Sequence, residues 1–325
     1  MKNRLVGWWQ SWNQFWFEFH RPWGFALARV QVAATMLWLY SVRQFANMES
    51  FSEQGLVPRA MALPLMMESY RPPFAWFALW PDSMAPMIHL LFLVALLMVL
   101  IGAGARIWGP LAWVLHMGFL QRNYSILFGA DVLLGLSLFY LMFTRSEEHL
   151  SVRAWWRRRQ GSPGLVGGNA VSSAFGRLLM IQLMALYAYT GFEKLKGASW
   201  WDGTALWTVL GNPQMVITDM AFLRHFAFLV SAMTFATLIF EIYFPAAMLS
   251  PRLRKPWLLA GVLFHLGIAA LMDLWTFSLG MLAIYWIFLS DDEIRRVFSF
   301  FRVKLSRSSG KGESESGVIR FETSL

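Results

Sequence analysis

An all-α, polytopic membrane helix bundle, with about eight transmembrane helices and an N-terminal interfacial helix, is what this sequence predicts. Three observations lead there. Hydrophobic residues make up 57% of the 325 positions and charged residues 14%, a balance foreign to soluble domains. Apolar runs of spanning or near-spanning length recur from Trp23 to Leu289. Lys and Arg gather between alternate runs, as the positive-inside rule requires, so span count and orientation support each other.

The net charge of +9 is therefore that of basic loops at a membrane rather than of a nucleic-acid surface, and no nucleic-acid partner is expected. The chain has no cysteine, which excludes disulfides, thiolate metal sites and cysteine nucleophiles. No cleavable signal peptide is expected, because the first residues form an aromatic, amphipathic stretch without a short apolar core.

Residues 1–21 alternate Trp8, Trp9, Trp12, Phe15 and Trp16 with Arg4, Gln10, Asn13 and Glu18. The run is too interrupted to span, so it is expected to lie flat at the cytoplasmic interface. Residues 22–290 form the transmembrane domain. Its first span, Trp23 to about Val42, holds Arg29 and Gln31 inside the apolar run. Residues 43–85 are polar and proline-rich and read as a structured outer loop. Ile88 to Ala103 is a second span, followed by two short runs, Gly109 to Leu120 and Ile126 to Phe143. A basic, then Gly/Ser-rich inner linker covers residues 145–173, mobile at its glycines. Ser172 and Ser173 are positioned to cap a fifth span, Ala174 to Gly191. A sixth, Phe226 to Leu249, carries Glu241 and is broken near its end by Pro245. The seventh, Trp257 to Met272, holds His265 near its middle, and a tight turn at Asp273 and Leu274 leads to the eighth, Trp275 to Leu289. Residues 291–325 form a cytoplasmic tail, expected to be disordered beyond about residue 306. Both termini are placed in the cytoplasm, in a membrane of the bacterial inner-membrane type.

Five segments carry a resemblance. GLVPR (Gly55 to Arg59), RNYSILFGAD (Arg122 to Asp131), YTGFEKLKGASWWDGTALW (Tyr189 to Trp207), FEIYFP (Phe240 to Pro245) and FHLGIAALMDLWTFSLGM (Phe264 to Met281) occur in this order. Together they resemble the horizontally transferred transmembrane domain family, which includes the vitamin K-dependent gamma-carboxylases. The resemblance implies a carboxylase- or quinone-epoxidase-like membrane enzyme, a lyase or oxidoreductase, with reduced vitamin K or another quinone as cofactor. It also implies that Lys194 is a base acting on that hydroquinone. Asn123 falls on an asparagine of the carboxylase pattern. Tyr124 stands where the carboxylases have histidine, and Glu193 replaces the first lysine of their Gly-x-Lys-Lys-Leu pattern. The tail after Asp291 is too short for the large domain with which the carboxylases recognise propeptides, so an acceptor would be chosen another way.

The residues argue for themselves as well. On a helix, Tyr187, Gly191 and Lys194 share one face, so the amine can point inward. Burial and Lys196 would favour the neutral amine that a base needs, with Glu193 opposing. The competing reading is a lysine snorkelling from a helix end. Arg29 and Glu241 both lie roughly 10 Å from the cytoplasmic end of their runs at the helical rise. They are expected to form a structural ion pair. Asp131 could hold the Lys194 ammonium or relay its proton, or link to Arg122. His265 and His116 could ligate haem, though the spacing favours hydrogen-bonded packing histidines. Trp200 and Trp201, with Tyr187, could line a pocket for a flat ring, or form an interfacial belt.

Two functions follow. In the first, the chain is an enzyme with an extracytoplasmic-facing site, with Lys194 as base and Asn123, Tyr124, Asp131 and His265 around it. Its substrate is membrane-borne or extracytoplasmic, and membrane lipids are partners. In the second, it is a non-catalytic lipid or small-solute transporter or a membrane assembly partner. No metal is indicated.

Overall fold

The computed structural model describes residues 2–47, 57–58, 60–61, 81–122, 127–162 and 169–299, and among these no strand occurs. Most of the outer loop, Asn123, Tyr124 and the tail beyond residue 299 lie outside the described residues. Twelve α-helices are used below: α1 (Lys2–Phe17), α2 (Pro22–Asn47), α3 (Ala85–Ile101), α4 (Ala105–Arg122), α5 (Gly129–Met142), α6 (Val152–Arg159), α7 (Ala170–Lys194), α8 (Ala198–Trp201), α9 (Ala205–Leu210), α10 (Ala227–Leu249), α11 (Arg254–Met272) and α12 (Trp275–Phe288). The eight expected spans correspond to α2, α3, α4, α5, α7, α10, α11 and α12.

Four of them, α2, α7, α10 and α11, are long and apolar enough to cross a membrane, whereas α3, α5 and α12 are shorter apolar helices. A helix of 14 residues, the length of α5 and of α12, rises only about 21 Å, less than a hydrocarbon core of about 30 Å. The short helices are tolerated because they sit inside. On α12, Ala283, Ile284, Ile287 and Phe288 are sealed from solvent, and on α5, Leu134 and Leu138 are too. Longer helices wrap them, and α12 packs most extensively on α2.

Polar residues inside the spans are where the helices are stitched together. Gln31, conspicuous in the first span, donates from Nε2 to the Leu279 carbonyl (2.8 Å) and accepts from Trp286 Nε1 (2.8 Å), tying α2 to α12. His116 joins three helices: Nδ1 faces the Tyr40 hydroxyl at 2.9 Å, and Nε2 lies 3.0 Å from the Asp131 carbonyl. Gly135 lets that imidazole lie against α5, since a Cβ there would be 2.8 Å from His116 Nε2. A buried polar group satisfied in this way is nearly obligatory in lipid, and His116 is a packing histidine.

Several local expectations are corrected. Asn169, not Ser172 or Ser173, is the N-cap of α7, accepting the Ser172 N–H at 3.0 Å. The two serines serve tertiary contacts instead: Ser172 Oγ accepts the Arg145 N–H, and Ser173 Oγ donates to the Phe19 carbonyl. Pro245 lies inside α10, which continues to Leu249. The turn after α11 is as expected, closed by Asp273 in the left-handed region at φ 56°. Helix α1, expected to lie at the interface, exposes Trp8, Trp9 and Trp12. It docks on α7 through Arg177, whose guanidinium covers the Phe15 and Phe19 rings at 4.4 and 4.1 Å.

The basic first part of the linker, residues 145–162, is held by defined contacts, while residues 163–168, with most of the linker's glycines, lie outside the described residues. Arg29 reaches into the first part, donating from Nε to Ser146 O (3.2 Å), from Nη2 to Leu150 O (2.6 Å), and from Nη1 to Leu100 O (2.7 Å) and to Val99 O. It thereby caps the orphan carbonyls that end α3. Glu147 does the reverse for α4, accepting the N–H groups of Gly104 (2.9 Å) and Ala105 (2.7 Å), where the helix dipole favours a carboxylate. Beyond α12, Glu293 meets Lys255 at 2.8 Å and Arg254 at 3.5 Å. Burial alone would raise its carboxyl, but Lys255, the Ser290 N–H and hydroxyl, and Arg254 more than offset this and hold it at about 2.

Candidate functional site

The site is assembled where α7 ends against α10. Gly191 makes the approach possible: a Cβ there would lie 2.8 Å from Ile242 Cγ1 and 3.1 Å from the Ile242 nitrogen. One turn on, Lys194 Nζ meets Glu241 Oε2 at 2.6 Å, and the ammonium also sits 5.5 Å from the centre of the Trp200 ring. Glu241 is buried and the Lys194 side chain is one-quarter exposed.

This corrects the expected Arg29–Glu241 pair. The partner of Glu241 is Lys194, and Arg29 is spent on main-chain carbonyls at the basic end of the bundle. The expected pairing compared depths in α2 and α10 alone and left out α7, whose end does not lie level with that of α10. Roughly 20 Å of helix precedes Glu241 in α10 at 1.5 Å per residue. The short helices α8 and α9 pack along that overhang, with Gly203 against Ser231 and Phe235, and the Leu206 N–H reaching Thr234 Oγ1 at 3.3 Å. Lys194 thus lies beside the body of a spanning helix, where a charge is costly unless paired.

A second polar cluster lies beside the first. The Tyr187 hydroxyl is 2.6 Å from His265 Nε2 and 2.7 Å from the Tyr285 hydroxyl. All three residues are buried. Gly261 gives the Tyr285 hydroxyl its room, since a Cβ there would collide with it. The Glu241 carboxylate lies within electrostatic reach of Tyr187. Among the described residues, the buried Nδ1 of His265 has no hydrogen-bond partner. Lys194–Glu241 and Tyr187–His265–Tyr285 therefore form neighbouring acid–base groups drawn from α7, α10, α11 and α12, and Tyr285 was not among the residues singled out by sequence.

The other expected members are elsewhere or differently employed. Asp131 is buried at the start of α5, where its carboxylate accepts the Phe128 N–H at 3.2 Å as a helix cap. Arg122 donates to the Val57 carbonyl at 2.8 Å. Of the residues expected to line a ring pocket, Tyr187 is buried in the second cluster and Trp200 covers Lys194. Trp201 is exposed, its Nε1 donating to the Leu195 carbonyl at 2.7 Å. Lys196 pairs with Glu193 at 2.6 Å on the surface, and that bond raises the Lys196 ammonium.

An apolar groove of about 360 Å³ opens above the pair, between α9, α10 and α11. Leu206, Met233, Phe240, Phe264 and Leu271 line it, and among the described residues Thr237 is the one polar side chain in its wall. Its volume falls in the range of small-ligand sites. Thr237 and Glu241 are four residues apart on α10, hence on one face a turn apart, which puts the carboxylate one turn beyond the polar residue of the groove wall. Among the described residues no cluster of His, Asp and Glu could hold a metal ion.

Residues 24–292 match the HTTM domain family. The chain is also similar to the sporulation-delaying protein SdpB of Bacillus subtilis (strain 168), with 26% identity over 251 residues, 73% of this chain and 76% of that protein. No solved structure matches. The matched range takes in Lys194, Glu241, Tyr187, His265 and Tyr285, and with them the whole of both polar clusters: the chain is a multi-pass membrane protein and belongs to the HTTM domain family.

Proposed function

We propose that the protein is a membrane-embedded enzyme that removes a proton from a lipophilic substrate, with Lys194 and Glu241 acting as one acid–base unit. The observation that carries this reading is the 2.6 Å contact between the two groups, with Glu241 one helical turn from Thr237 in the wall of an apolar groove. In a low-dielectric setting the Lys194 proton can pass to Glu241 Oε2, leaving a neutral amine and a neutral acid. The amine then accepts the substrate proton. Tyr187, His265 and Tyr285 are placed to carry the proton onward through their hydroxyl and imidazole contacts.

A reduced quinone fits this arrangement in part. The groove offers an apolar bed with the Phe240 and Phe264 rings for a prenyl tail, but only Thr237 to meet ring oxygens, and that hydroxyl already donates to the Met233 carbonyl at 2.9 Å. A ring hydroxyl would therefore be met by the Lys194–Glu241 pair, with the tail above it. When bound, such a group supplies the acidic hydroxyl and the oxidisable ring. The protein's own contribution is to hold the proton at Lys194 and Glu241 and to exclude water with Phe240 and Trp200. Asn123 and Tyr124 stay in this proposal as residues expected around Lys194, and Asp131 acts by capping α5.

The distribution of basic residues supports cytoplasmic termini in a bacterial inner membrane, with α8 and α9 toward the extracytoplasmic side. One observation favours a non-catalytic alternative, an assembly partner or transporter: Lys194, neutralised by Glu241 and covered by Trp200, is also a complete clamp between α7 and α10.

Oxygen-dependent consumption of a prenylated hydroquinone by membranes containing the protein separates the two. Lys194→Ala and Glu241→Gln are expected to lower the rate by about 100-fold or more. Unchanged rates in both variants, or no consumption by the wild type, would remove the enzyme reading.

A further inference from the structure

At the opposite, basic end of the bundle a pocket of about 370 Å³ opens between the start of α4, the turn after α5, α6 and the start of α7. Four arginines, Arg106, Arg145, Arg153 and Arg157, line it against two carboxylates, Glu147 and Glu148. Both carboxylates are already engaged. Glu147 caps α4 and meets Arg153 at 3.2 Å, while Glu148 meets Arg145 at 3.4 Å and His20 at 3.5 Å. Burial pushes the Glu148 carboxyl up, against the pull of His20, Arg145 and, more weakly, Arg157. Arg106 and Arg157 take part in no ion pair among the described residues, and the buried Nε of Arg157 has no hydrogen-bond partner. The pocket therefore carries an excess of positive charge and an unmet donor.

Its other wall is apolar, made by Pro110, Met142, Phe143 and Val171. From Phe143 a partly exposed ladder of rings leads along the bundle: Phe143 stacks on Phe175 at 4.2 Å, Phe139 lies 5.4 Å from Phe143, and Trp113 lies 5.2 Å from Phe139. Beside the pocket, α6 exposes Trp155 and Trp156, the side chains that settle at headgroup level. A soluble anion has no use for the ladder or for this depth.

We propose that the pocket seats the phosphodiester headgroup of an anionic phospholipid, with an acyl chain lying on the Phe143–Phe139–Trp113 ladder. Guanidinium groups match phosphate oxygens in fork geometry, and basic pockets between helices at a membrane surface are suited to such headgroups. The site is distinct from the Lys194–Glu241 pair and does not depend on the function assigned to it.

Native mass spectrometry of the full chain in detergent, titrated with phosphatidylglycerol or phosphatidylcholine of the same acyl chains, tests this. Phosphatidylglycerol is expected to be retained at lower concentration. Arg106→Ala with Arg157→Ala should weaken its retention roughly 30-fold, while Arg106→Lys with Arg157→Lys keeps most of it. Equal retention of the two lipids by the wild type, or an anionic preference that survives in a folded alanine double variant, overturns the proposal. Displacement of the lipid by millimolar inorganic phosphate overturns the lipid assignment in favour of a soluble phosphate. If the alanine variant fails to fold, the wild-type comparison and the lysine variant still decide.

Discussion

Arg29 shows how a single residue can be rightly singled out and wrongly partnered. A charge inside an apolar run had to be compensated, and the nearest acid by depth was Glu241. The compensation came from carbonyls instead, because a guanidinium with five donors can close the end of α3 and the turn after α5 at once. Nothing in a sequence announces main-chain acceptors. Lysine, with a compact ammonium and three donors, cannot span Val99, Leu100, Ser146 and Leu150. Arg29→Lys is expected to destabilise the protein by about 3 kcal/mol through acceptors left unmet in a dry interior, seen as a lower denaturation midpoint in detergent. An unchanged midpoint would show that the carbonyl cradle contributes little. Asp131 carries the same lesson: it was legible as a buried acid, but its first use is local, as the cap of its own helix.

At the scale of elements, the spans were legible because apolar runs, here folded as helices of 14 to 26 residues, leave few alternatives once water is absent. What was not legible is how far one helix slides along another. The meeting of α7 with α10 depends on Gly191, and the level at which it occurs brings Lys194 to Glu241 instead of leaving it at a rim. Gly191→Val should force the helices apart, since its Cβ meets the backbone nitrogen of Ile242, which cannot turn aside. A loss of about 1–3 kcal/mol, read from thermal unfolding, is expected, and a variant as stable as the wild type would show that the helices do not approach so closely. The turn between α5 and α6 was read as linker because it is polar and charged. It is ordered by those very charges, Glu147 on the start of α4 and Arg29 on its carbonyls.

For the whole molecule, the basic pattern predicts an orientation that agrees with the number of apolar runs, and that orientation is open to direct test. The chain lacks cysteine, so single cysteines introduced at Lys196 and at Arg158, both exposed, report sidedness cleanly. A membrane-impermeant maleimide should label Lys196→Cys in intact cells and Arg158→Cys only after lysis; the reverse pattern would invert the bundle and place the groove on the cytoplasmic side. The site was half legible. Lys194, Tyr187, His265 and Glu241 stood out as polar groups in apolar runs, while their grouping into two clusters, with Tyr285, required the packing of four helices.

The acid–base role of the Lys194–Glu241 pair is tested most directly by replacing both groups together with apolar residues of similar volume, Lys194→Met with Glu241→Leu. Removing a buried pair as a unit is often neutral or stabilising, so the variant should melt at or above the wild-type temperature while losing hydroquinone consumption by about 100-fold or more. A stable double variant that still turns over the substrate at the wild-type rate would leave the pair as a clamp between helices and contradict its part in the chemistry.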